Sequence, residues 1–189
     1  MKVAFLLLAT LFVTACSTDT AKRPEKPVYF DVAGYIKSQI DILAKQKPTV
    51  TKRLKMGEKT EQRSTRTINW SRELELFSQA DINKPALRSS YTIARPDPFT
   101  YRYTLKPSEK NLTVRSLVVR VDPTSRKPSR IDAILATENP LYTAERKIYL
   151  ESGWLPGGVW GVTHYQLQGF QHLNLLDKHT FDVEGTITQ

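Results

Sequence analysis

The sequence predicts an α+β protein: a curved antiparallel β-sheet of about eight or nine strands, with an N-terminal amphipathic helix and a second short helix packed on one face. Three observations predict it. Apolar residues recur at helical spacing in two early segments only, and from Tyr91 onward they mostly alternate with polar ones. No repeat of fixed period is present, which argues against propellers and solenoids. With 189 residues, 40% apolar and 25% charged, the chain carries core enough for one domain and too much for a disordered segment.

The first helix is expected over Asp31 to Lys45, where Val32, Tyr35, Ile36, Ile40 and Leu43 form one stripe at spacings of three and four. Asp31 is its N-cap, Phe30 packs on Tyr35 as a staple, and Pro48 enforces the stop. Thr49 to Met56 and Thr60 to Ile68 flank Gly57-Glu58-Lys59 as a hairpin whose second arm, polar on both faces, suits an exposed edge. Trp70, Leu74 and Phe77 place a short helix from Trp70 to about Ala80, with Asn69 as cap.

Strands follow. Tyr91 and Ile93 alternate with polar neighbours, as do Phe99, Tyr101, Tyr103 and Leu105. Leu112 and Val114 change phase to Leu117, Val119 and Val121, the mark of a bulge or of a strand buried on both faces. Ile131, Ala133 and Leu135 make the next strand, then Leu141 to Leu150, Val159 to Phe170 and Thr180 to Ile187.

The beginning of the chain has a different character. Lys2 precedes an apolar run from Val3 to Val13 broken only by Thr10, the pattern of a secretory signal and too short for a span of about 20 residues. The run ends in Val13-Thr14-Ala15-Cys16, which resembles the lipobox of bacterial lipoproteins and holds the chain's only cysteine. The resemblance implies cleavage before Cys16, a diacylglyceryl group on its sulfur and acylation of the new N-terminus. More than one acyl chain makes such anchoring stable. Ser17, in place of the Asp that retains this class in the inner membrane, implies the outer membrane, facing the periplasm. The expected organisation is 1–15 signal peptide, 16–28 lipidated Cys and flexible tether, and 29–189 a single α+β domain. With Cys16 lipidated, no disulfide and no thiol chemistry remain.

The charge of +9 would suit a nucleic-acid binder, but export removes that partner. The excess is local: residues 22–72 hold 13 Lys and Arg against 5 acids, residues 73–189 hold 14 against 13. Lys52, Arg53, Lys55, Lys59, Arg63 and Arg66 are therefore candidates for a face turned to anionic headgroups; a solvated edge hairpin kept from aggregating by charge explains them equally.

No catalytic or metal motif stands out. His164, His172 and His179 lack HExxH, HxH or CxxC settings, and Gly157-Gly158 lacks the following Lys and Ser or Thr of a phosphate loop. Asp97, Asp122, Asp132 and Glu138 form no sequence motif, so neither a metal, a cofactor nor an enzymatic activity is expected. The main surface feature is Gly153-Trp154-Leu155-Pro156-Gly157-Gly158-Val159-Trp160, two tryptophans around a turn. Trp154 and Trp160 make a candidate binding loop, unless both indoles fold back to plug the end of the sheet. The expected function is a lipid-anchored envelope protein with a non-enzymatic binding or structural role toward an envelope protein or lipid. The alternative, an analogy of architecture to half-barrel lipoprotein chaperones, is a carrier holding a hydrophobic ligand between sheet and helices.

Overall fold

Asp31 opens the first helix by accepting a hydrogen bond from the backbone N–H of Gly34 at 2.8 Å, and α1 runs Val32–Gln46. Phe30 and Tyr35 lie with ring centroids 6.1 Å apart, as the staple requires. Lys47 ends the helix in the left-handed conformation, its N–H donating to Leu43 O, directly before Pro48. These observations belong to a computed structural model that describes residues 27–174 and 176–188.

The hairpin is β1 (Thr49–Met56) and β2 (Lys59–Thr65). Met56 pairs with Lys59, so the turn is two residues, Gly57-Glu58, and not three. Gly57, at φ 58°, supplies the positive φ that such a turn needs at its first central position. Every residue of β2 but Thr65 is exposed, and β2 is a sheet edge. The second helix, α2 (Trp70–Ser78), is capped by Asn69 accepting from Arg72 N, and stops before the predicted Ala80.

The chain then passes a short 3₁₀ turn at Pro85–Leu87 and enters a meander: β3 (Tyr91–Asp97), β4 (Thr100–Leu105), β5 (Val114–Val121), β6 (Pro128–Glu138), β7 (Tyr142–Leu155), β8 (Val159–Leu173) and β9 (His179–Thr188). All nine strands form one open antiparallel sheet in the order β2-β1-β9-β8-β7-β6-β5-β4-β3. Its one long-range seam joins β1 to β9, with Thr49 opposite Thr188 and Met56 opposite Phe181. Phe99 falls in a turn outside the strand expected for it, and the phase change near Val114 is a bulge against Leu135 and Ile134.

Both helices lie on one face. Along α1, Tyr35 donates to Ser152 Oγ at 2.6 Å on β7, and buried Gln39 accepts from Val162 N at 2.9 Å on β8. That N–H is available because a bulge at Thr163 shifts the β7–β8 register. Further along, Gln46 donates to Pro156 O. Helix α2 is tied to the sheet by Glu73, which accepts from Tyr165 Oη at 2.8 Å and from Lys52 Nζ at 2.7 Å. Beneath the helices, Leu43, Val50, Leu74, Leu117, Val119, Val162 and Tyr165 are fully or almost fully buried in one cluster.

Candidate functional site

The strand register decides what the other face carries. Arg102, Val118, Asp132, Tyr149, Gln166, Glu184, Arg53 and Gln62 fall in one row across eight strands. Side chains alternate along each strand, so all eight point away from the helices and all but Val118 are polar. The groups are interlocked. Arg130, in the neighbouring row, grips both carboxylate oxygens of Asp132 at 2.8 Å and lies 4.3 Å from the Tyr149 ring centroid. The edge of that ring meets His164 at 5.5 Å, and His164 in turn contacts Thr186 Oγ at 3.2 Å. Arg53 pairs with Glu184, and Gln166 donates to Asp182 at 2.8 Å.

Over this network lies a shallow depression of about 590 Å³, lined by Arg130, Asp132, Lys147, Tyr149, His164, Gln166 and Gln168 among others. Burial, then the Glu151 carboxylate beside it, pushes the Tyr149 phenol up to about 12. The surface offers amide, carboxylate, guanidinium and ammonium groups in fixed positions around an aromatic ring. Among the described residues no group of three His, Cys, Asp or Glu could hold a metal ion.

The tryptophans are placed differently from the loop reading. β7 and β8 continue through them, so Trp154 and Trp160 form a cross-strand pair flanking a turn of Pro156, Gly157 and Gly158. The two glycines take φ values of 78° and 71°. Trp160 is 8% exposed and donates its indole N–H to Pro128 O at 2.9 Å; Trp154 is 59% exposed. Their rings meet edge to face at 5.3 Å, which fixes Trp154 in orientation while leaving it in solvent. Trp154 also walls a groove of about 440 Å³ with Pro48, Arg66, Pro156 and Thr163.

Of the six candidate basic residues, Lys52 turns to Glu73 beneath α2, Arg53 turns to Glu184 on the open face, and Arg66 donates to Thr49 Oγ. Lys55, Lys59 and Arg63 are exposed. The hairpin is close in sequence to Cys16, which lies outside the described residues. In space, however, the first described segment sits at the opposite edge, where Tyr29 packs against Tyr91 on β3 and Tyr103 on β4. Seven strand spacings from β4 to β2 are roughly 34 Å.

Reading the sequence missed the cluster around Tyr149. Its signal is present in the alternation of Lys147, Tyr149 and Glu151 with Ile148 and Leu150, and of His164, Gln166 and Gln168 with Tyr165 and Leu167. No family model matches the chain, and neither a curated protein nor a solved structure matches it. No helix among the described residues is long and apolar enough to cross a membrane.

Proposed function

We propose that this chain is a lipid-anchored cell-envelope protein with a non-enzymatic binding role, held at the outer membrane through Cys16 and engaging its partner on the polar sheet face around Tyr149. The contrast between the two faces of the sheet carries this reading. Side chains at or near zero exposure fill the space beneath the helices, while the opposite face presents an organised polar surface with no element of the described chain covering it. Proteins that hold acyl chains need an apolar cavity of several hundred Å³, on the order of 300 or more. The packing of Leu43, Leu74, Leu117 and Val162 lends the carrier alternative no support.

The test uses the protein extracted from its own membrane. Intact mass is expected to show Cys16 carrying acyl chains. An unmodified Cys16 would overturn the anchor, and a stoichiometric co-purified acyl ligand that photo-crosslinks to residues beneath α1 and α2 would overturn the binding role in favour of a carrier. A photo-crosslinker at Gln168, beside Tyr149, is expected to capture one discrete partner, and to lose it when Tyr149→Ala is added.

A further inference from the structure

One corner of the covered face is left open by the helices. Helix α1 begins only at Val32, and among the described residues it is Val28, Tyr29 and Phe30 that meet the ends of β3, β4 and β5, bordering a cleft of about 480 Å³. Tyr29 fixes this segment: its N–H donates to Asn83 Oδ1 at 3.0 Å and its phenol to Arg88 O at 2.7 Å. Val28 is left 46% exposed at the rim.

Two arginines line the cleft. Arg95 stacks 4.5 Å over the Tyr101 ring and Arg126 5.1 Å over Phe99. Stacking occupies the face of a guanidinium and orients it, while the N–H groups in its plane remain free to grip an oxyanion. Arg95 uses one of them on Pro98 O at 2.7 Å. Among the described residues no ion pair within 4.0 Å joins either arginine to a carboxylate. The carboxylates nearest in sequence are engaged by backbone N–H groups: Asp97 accepts from Phe99 N at 2.8 Å, and Asp122 from Thr124 N and Ser125 N. Positive charge beside aromatic rings and an exposed aliphatic residue is the chemistry of an anionic amphiphile at a membrane interface.

We infer that this cleft binds the phosphate of an anionic lipid headgroup, with Arg95 and Arg126 as its ligands and Phe99, Tyr101 and Val28 against the glycerol and upper acyl region. The inference rests on the lipid-anchored reading for its choice of ligand. Eleven residues lie between Cys16 and Val28, and the twelve steps from one to the other span at most about 43 Å, which keeps the cleft near the surface that holds the anchor.

The experiment takes the full protein in neutral detergent and titrates soluble dihexanoyl phosphatidylglycerol. Saturable binding is expected, with phosphatidylcholine of the same chain length at least about tenfold weaker. The double variant Arg95→Gln/Arg126→Gln is expected to lose at least about tenfold in affinity with an unchanged unfolding midpoint, because both side chains are exposed. Unaltered binding by that variant overturns the site. Equal loss with Lys55→Gln/Lys59→Gln overturns it too, showing diffuse attraction. Inorganic phosphate competing at the lipid's own concentration replaces the lipid by a free anion and overturns the amphiphile. Binding in detergent is read independently of the mass of Cys16, so failure of the anchor and failure of the cleft are separate results.

Discussion

Leu117 and Val118 are adjacent on β5, yet they belong to two different surfaces. Leu117 is fully buried under the helices; Val118 is half-buried on the open face, in the row of Asp132 and Tyr149. The covered face is held by apolar packing with a few polar ties to α1 and α2. The open face is a lattice of paired side chains that no other described element covers. Burial of apolar area stabilises at about 25 cal/mol per Å², whereas exposed ion pairs contribute about 0 to 1 kcal/mol each. Stability therefore resides mainly on the covered face, and side chains on the open face can change at little cost to it.

The largest expected effects are on the covered face. Leu117→Ala should cost about 2 to 5 kcal/mol and Val118→Ala about 1 kcal/mol or less, read from chemical denaturation midpoints. Equal costs would abolish the distinction between the faces. Gly185 gives a second contrast, since a β-carbon there would collide with the ring of Tyr165, whereas one at Gly153 would meet only the Thr163 methyl at 3.6 Å. Gly185→Ala should cost about 1 to 3 kcal/mol or more, and Gly153→Ala less than about 1 kcal/mol.

Alkaline pH sharpens the comparison further. Burial and the neighbouring Glu73 carboxylate raise the Tyr165 phenol far above its ordinary value. In the unfolded chain it ionises near about pH 10, so above that pH the unfolded state binds fewer protons and stability falls as pH rises. Tyr165→Phe should flatten this alkaline limb in pH-dependent melts. Tyr149→Phe on the solvated face should flatten it less, although that phenol is also raised, to about 12. The smallest expected change is Trp154→Ala, within about 1 kcal/mol of the parent, because the indole is exposed and its partner Trp160 keeps the bond to Pro128. The matching Trp160→Ala should cost about 3 kcal/mol or more.

What the sequence made legible follows from how local each cause is. Helix ends were readable because Asp31, Asn69 and Pro48 act on their immediate neighbours. The turn of Pro156, Gly157 and Gly158 between the tryptophans was legible from its residue types, but the strand before it runs past the expected Leu150 to Leu155, because Gly153 keeps its place opposite Gly161 in the β7–β8 ladder. The stacking of Arg130 on Tyr149 needs the β6–β7 register, which places Asp132 opposite Tyr149 and Arg130 opposite Glu151. The distance of the basic hairpin from Tyr29 needs the strand order, which only the β1–β9 seam determines.

That seam also sets a schedule for folding. Strands β3 to β9 pair with sequence neighbours, so the meander can zip as it appears, while β1 waits for residues 179–188, more than a hundred positions downstream. Loop closure over that separation is slow compared with hairpin formation. In a chain that emerges from its N-terminus the β1–β2 hairpin appears before the meander and stands with an unpaired inner edge until the last strand arrives. Its lysines and arginines then act as a guard against association with other chains during the interval before the sheet is complete.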